Sequence, residues 1–169
     1  MYLEKPSSPK PKMFYNIQHF LTQSECLMIK QLSKELPKHK GKVNNKDNKA
    51  KKNDSIRSVD VYPIPMQGDF IDLYQMIYDA IKEANEQHFR FDIAGIFDNL
   101  QLLHYKKGDH YDWHVDVGDD IYSNRKISAS LLLSDNCDGG DLVLKQGADR
   151  PIHMEVGDMV LFPSYVLHN

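Results

Sequence analysis

Cysteine is scarce in this chain: two among 169 residues, Cys26 and Cys137, far apart and in no spacing that would chelate a metal. That argues against a cysteine-built metal site, and a reduced protein in the cytoplasm is the simpler expectation. Long apolar runs are missing as well. None approaches the ~18 residues that a membrane span requires, so no membrane partner is expected. The opening Met1-Tyr2-Leu3-Glu4-Lys5 lacks the basic-then-apolar order of a signal peptide. There is no large charge excess either. A net charge of −3 argues against nucleic acid or an anionic membrane as a partner. What is present, 41 % hydrophobic and 27 % charged residues over 169 positions, suits one domain with a proper core.

Two stretches stand apart. Residues 1–12, with Pro6, Pro9 and Pro11 among serines and lysines, are expected to form a flexible N-terminal arm. Residues 38–53 carry lysines at 38, 40, 42, 46, 49, 51 and 52 with several asparagines, which predicts a mobile, solvated loop inside a domain spanning 13–169.

The remainder is patterned. Met13 to Phe20 alternates as a strand does. Thr22 and Glu25 have the spacing of a capping box, and Leu27, Ile29, Leu32 and Leu36 give the following helix apolar positions before Pro37 stops it. Ile56 to Ile64 returns to strand chemistry. Phe70, Leu73, Ile77, Ala80, Ile81 and Ala84 recur at three- and four-residue steps and predict a second helix from about Asp69. From Ile93 the period shortens. Leu100–Tyr105, Ile127–Leu133, Asp141–Lys145, Pro151–Val156, Met159–Phe162 and Val166–His168 read as short strands separated by Gly, Asp and Asn. Helices followed by an all-β run predict an α+β, mainly β fold: a jelly roll with the N-terminal helices packed on one sheet.

His114-Val115-Asp116 is the informative tripeptide. On a strand, alternate side chains face the same way, so an imidazole and a carboxylate would enter one cavity together. Two histidines and a carboxylate with open positions is the donor set of non-haem Fe(II) oxygenases. The tripeptide alone does not decide the site, because His110-Tyr111-Asp112 has the same form. A third ligand must come from elsewhere, and His153 and His168 both compete for that place.

The wider context supplies more. Tyr105-x-x-Gly108-x-x-Tyr111-x-x-His114-x-Asp116 resembles the Y-x-x-G-x-x-Y-x-x-H-x-D signature of prolyl 4-hydroxylase-like 2-oxoglutarate/Fe(II)-dependent dioxygenases. Arg125-Lys126-Ile127-Ser128, Gly139-Gly140-Asp141-Leu142 and Gly157-Asp158 leading to Phe162-Pro163 follow in that family's order. The resemblance implies a double-stranded β-helix, with His114, Asp116 and His168 as catalytic metal ligands. It implies Fe(II), 2-oxoglutarate and O2 as cofactor and cosubstrates, ascorbate as a further possibility, and hydroxylation of a C–H bond in a peptide or protein substrate. Peptidyl proline is the first choice, with release of succinate and CO2. It also implies Tyr105 as a donor to the far carboxylate of 2-oxoglutarate, a sensible role for a phenol.

In the resembled family a basic residue about ten positions beyond the distal histidine completes that anchor, whereas this sequence stops at Asn169. The expectation is therefore a chain lacking its C-terminal strand and binding 2-oxoglutarate weakly. Arg125, Lys126, Lys145 or Arg150 would be the substitute anchors. Arg57 is expected near the substrate entrance.

Overall fold

The computed structural model describes residues 13–41, 43–44, 50–51, 56–135 and 139–169. In chain order the elements are β1 (Tyr15–Ile17), α1 (Gln23–Ser33), β2 (His39–Lys40), β3 (Val43–Asn44), β4 (Ala50–Lys51), β5 (Arg57–Ser58), β6 (Asp60–Ile64), α2 (Ile71–Ala84), β7 (Leu100–His104), β8 (His110–Tyr111), β9 (Ile127–Leu131), β10 (Leu142–Gln146), β11 (Ala148–Ile152) and β12 (Met159–Pro163). One sheet has the order β1-β12-β9 and another β2-β6-β7; β10-β11, β3-β4 and β5-β8 are two-stranded ribbons. Every strand pair among the described residues is antiparallel.

β12 organises the interior. All five of its residues are buried. Because successive strand side chains point to opposite faces, it serves two cores at once. Met159 and Leu161 face a cluster with Cys26 and Ile29 of α1, Leu73, Tyr74 and Ile77 of α2, and Ile64 of β6. Val160 and Phe162 face the other way, onto Leu144, Ile152 and Val166. The helices therefore share one face of this strand, and the residues leading to the candidate site share the other.

Polar ties set the helices against the strands. The Thr22 hydroxyl accepts from the Glu25 N–H (3.3 Å), and Glu25 Oε2 accepts from the Thr22 N–H (2.7 Å), so the expected capping box is formed. The Tyr74 hydroxyl donates to Ile64 O (2.6 Å) and accepts from Leu100 N (2.7 Å), which pins α2 to the β6–β7 pair. Gly157, at φ +95°, takes the close crossing before β12: it accepts from Leu21 N at 3.0 Å and donates to Leu132 O at 2.8 Å. A Cβ there would sit 2.0 Å from Leu21 O, so only glycine fits.

Several expectations need correction. α1 ends at Ser33, short of Pro37, and Leu27 lies on its exposed side while Cys26, Ile29 and Ser33 are buried. The run Ile56–Ile64 divides at Val59 into two strands with different partners, β5 on β8 and β6 on β7. The strand expected over Pro151–Val156 lies earlier, at Ala148–Ile152, because it turns back on β10 through Gly147. Val166–His168 is not a strand; His168 makes only isolated bridges, to His114 and to Leu144. Within the lysine-rich stretch, His39–Lys40 pairs with β6, and Val43–Asn44 pairs with Ala50–Lys51. Residues 42, 45–49 and 52–53 of that stretch, and the expected arm over 1–12, lie outside the described residues.

Candidate metal centre

Two loops, joined by a β-bridge, bring the donors together. His114 N donates to His168 O, and His168 N donates to His114 O, both at 2.9 Å. This reciprocal pair places two residues 54 positions apart side by side. Asp116 is held to the same segment, since its N–H and that of Val117 both donate to Ser164 O (2.9 and 3.1 Å). His114 and Asp116 thus converge without the regular strand expected for them. The bridge and the Ser164 carbonyl do the aligning.

Ligand atoms of His114, Asp116 and His168 lie within 4.8 Å of one another. His114 Nε2 is 3.6 Å from Asp116 Oδ1, and His168 Nε2 is 3.6 Å from Asp116 Oδ2. The remaining ring nitrogens are committed: His114 Nδ1 is 2.8 Å from Asp112 O and His168 Nδ1 is 2.9 Å from Val166 O. A carbonyl can only accept, so each Nδ1 carries a proton, and each Nε2 is left facing the carboxylate as the atom a metal would take. Orienting a metal-binding imidazole through its other nitrogen is the usual arrangement at such sites. Burial lowers the His114 pKa to about 4, helped by the neighbouring His168, so the ring is neutral and able to ligate at physiological pH. Two imidazoles and one carboxylate, with their ligand atoms within 4.8 Å of one another, fit a divalent metal with open positions.

The surroundings are mixed. Tyr111 stacks on His114 at 3.5 Å, and the Arg57 guanidinium lies 4.4 Å over the Tyr111 ring. Phe162 meets His168 edge-on at 4.8 Å. Burial raises the Tyr111 phenol pKa, and Arg57 opposes that rise. Tyr105 is raised in the same way but remains 44 % exposed.

Of the other sequence candidates, none of His104, His110, Asp112 and His153 joins a metal-binding group among the described residues. Asp112 contributes only its backbone carbonyl. Arg125 is engaged elsewhere: its Nε donates to Asp98 Oδ2 (2.9 Å) and its Nη1 to Asp116 O (3.1 Å). Lys145 pairs with Asp149 at 2.7 Å and lies 5.1 Å from the Trp113 ring. Arg150 sits over Phe14 in an open cavity of about 410 Å³ lined also by Met13, Tyr15 and Asn16. Sequence reasoning missed two residues, Ser128 and Ser164. Ser128 Oγ donates to Asp116 Oδ2 at 2.6 Å and is 3.1 Å from Ser164 Oγ. No spacing rule links serines at 128 and 164 to an aspartate at 116; only the pairing of β9 with β12 does.

Comparison with known proteins agrees with this geometry. Residues 100–169 match the family model described as the 2OG-Fe(II) oxygenase superfamily. A PKHD-type hydroxylase, YbiX, from an Escherichia coli strain is 32 % identical over 108 residues, covering 57 % of this chain and 48 % of that protein. The chain spans about half the length, or less, of the curated relatives it matches. Among solved structures, a Pseudomonas putida prolyl-4-hydroxylase aligns with TM-score 0.66 at 23 % identity, over 92 % of this chain and 83 % of that one. A Trichoplax adhaerens prolyl hydroxylase, in complex with a hypoxia inducible factor oxygen degradation domain peptide fragment, aligns with TM-score 0.71 at 18 % identity, over 92 % and 76 %. The sequence matches are thus to the 2OG-Fe(II) oxygenase superfamily and to PKHD-type hydroxylases, and the fold is that of the solved prolyl hydroxylases.

Proposed function

With residues 100–169 matching the 2OG-Fe(II) oxygenase superfamily, and all three donors inside that stretch, we propose that the chain is a non-haem Fe(II), 2-oxoglutarate-dependent dioxygenase that hydroxylates a C–H bond in a peptide or protein. Peptidyl proline is the first choice of target, and the protein is expected in the cytoplasm. The observation that carries the reading is the convergence of His114, Asp116 and His168 with both Nδ1 atoms already tied to carbonyls. A structural histidine pair would have no need to turn two Nε2 atoms toward one carboxylate.

In this reading His114 Nε2, an Asp116 oxygen and His168 Nε2 hold Fe(II). Bound there, the metal supplies one-electron and oxygen chemistry that no side chain can provide, driven by decarboxylation of 2-oxoglutarate to succinate and CO2. The protein's own share is geometric. The bridge between His114 and His168 fixes the spacing of two ligands. The Tyr111 ring covers one face of His114 and keeps water from it. Tyr105 is assigned to donate to the far carboxylate of 2-oxoglutarate. Arg57, stacked on Tyr111 and within 3.4 Å of Gln101 Oε1, brings a positive charge to the same wall. The sheets are assigned as the two layers of a double-stranded β-helix with α1 and α2 outside one of them.

The test is direct. Purified protein supplied with Fe(II), 2-oxoglutarate, ascorbate and O2 should form succinate slowly without a target, and faster with a proline-containing peptide it accepts. His114→Ala should abolish both rates. Succinate formation at the same rate in wild type and His114→Ala would refute the proposal.

A further inference from the structure

The wall behind Asp116 contains two hydroxyl groups that the ligand set does not use. Ser128 stands on β9, and its Oγ lies 2.6 Å from Asp116 Oδ2 and 3.1 Å from Ser164 Oγ. Ser164 follows β12 directly and is 1 % exposed. Its backbone is fixed on both sides: its N–H donates to Lys126 O at 3.0 Å, and its carbonyl accepts from Asp116 N and Val117 N.

The proton count gives these contacts a direction. Each hydroxyl has one proton to donate, and an ionised carboxylate has none. The Ser128 proton must go to Asp116 Oδ2, so the Ser128–Ser164 contact can only be Ser164 donating to Ser128. The chain runs one way, Ser164 to Ser128 to Asp116. Bonds linked in this manner polarise one another, and one ending on a charge is the stronger for it. The 2.6 Å distance is that of a charge-assisted bond from a hydroxyl to a carboxylate.

We propose that Ser128, backed by Ser164, is a positioning residue that holds one oxygen of Asp116 so that the carboxylate binds the metal through the other alone. This rests on the metal-site reading above and extends it. A carboxylate can take one or two positions on an octahedral ion. With three protein atoms bound, three positions remain, which suits a chelating 2-oxo acid and O2. With both oxygens of Asp116 bound, only two remain. Each oxygen lies 3.6 Å from one imidazole, Oδ1 from His114 Nε2 and Oδ2 from His168 Nε2, but only Oδ2 accepts from Ser128, which leaves Oδ1 for the metal. Neither serine touches cosubstrate in this scheme. They act through Asp116, one from β9 and the other from the turn directly after β12, its neighbour in the sheet.

The experiment uses Co(II) as a spectroscopic probe, titrated into wild type, Ser128→Ala, Ser128→Thr, Ser164→Ala and the double variant Ser128→Ala/Ser164→Ala. Each is first checked for folding by its metal-free melting curve. Loss of such a partner to a metal ligand typically weakens metal affinity roughly 10- to 100-fold. Ser128→Ala should show about a tenfold weaker Co(II) affinity and an altered visible spectrum, and 2-oxoglutarate should perturb that spectrum less than in wild type. Ser128→Thr keeps the hydroxyl and should restore both readouts. Because Ser164 acts only through Ser128, the double variant should match Ser128→Ala, whereas independent effects would add. An unchanged affinity and spectrum in Ser128→Ala would overturn the proposal, and so would additivity in the double variant. If Ser128→Ala does not fold, Ser164→Ala decides: a wild-type spectrum there counts against the relay. Failure of wild-type protein to bind Co(II), or binding unaffected by His114→Ala, would instead overturn the metal site itself.

Discussion

Replacing Gly157 by alanine tests the crossing that seats β12 against the first helix. Gly157 has φ +95°, where a Cβ is disfavoured by about 1–2 kcal/mol. The steric problem is larger. The new Cβ would lie 2.0 Å from Leu21 O, although real Cβ atoms essentially never come within 3.0 Å of another heavy atom. That neighbour is backbone and cannot rotate away, so the two segments must part. Parting strains or breaks two hydrogen bonds, Leu21 N to Gly157 O (3.0 Å) and Gly157 N to Leu132 O (2.8 Å). At about 1 kcal/mol for each bond, added to the dihedral cost, the loss comes to about 3–4 kcal/mol. For a chain of this length each kcal/mol shifts Tm by about 2–4 °C, so Gly157→Ala should melt about 10 °C lower. Gly147→Ala is the matched control: φ is +81° there, but nothing lies within 4 Å of the added Cβ. It carries the dihedral cost alone, about 1–2 kcal/mol. Thermal melting monitored by circular dichroism reads both. Equal shifts in the two variants would refute the close-approach argument.

Thr22→Ala removes the side-chain half of the capping box and should cost about 1 kcal/mol, seen as a Tm drop of about 2–4 °C; no drop would show that α1 does not depend on its cap. His168→Ala should abolish Co(II) binding while His153→Ala leaves it intact, a contrast readable by titration. The metal-free protein should gain stability as pH rises from about 4, the lowered pKa of His114, to about 6.5, its unfolded value. In that window the unfolded chain binds a proton that the folded one refuses, and His114→Asn should flatten the slope of Tm against pH. Asp60 behaves as an acid-limb group. Hydrogen bonds from Lys106 and Lys40 hold its carboxyl below the usual range, so its contribution is present above about pH 4 and lost as pH falls further. Asp60→Asn should remove that part of the acid-induced drop in Tm.

The local elements were legible in the sequence because their causes are local. Thr22 and Glu25 form a cap through contacts three residues apart. The stripe from Phe70 to Ala84 buries one side of α2 because a helix returns to the same face every three or four residues; Phe70, Leu73, Ile77 and Ala84 are all buried. His114 and Asp116 were singled out by a short signature, and His168 by its place in the same order of motifs. Three things were beyond reach. Leu27 matched the helical period of α1 yet faces solvent, because the orientation of a helix is set by what packs against it. His114 and Asp116 converge through a bridge to His168 and a shared carbonyl, not through strand alternation. Ser128 and Ser164 carry no signal of their own, since serine is common and their separation from Asp116 means nothing along the chain. What the sequence determined by itself was the candidate donor set and the pattern of elements, both written in residue type and short spacing. What only the tertiary structure decided was how β9 pairs with β12, because register depends on contacts between distant segments, and that register sets two hydroxyls behind one oxygen of Asp116.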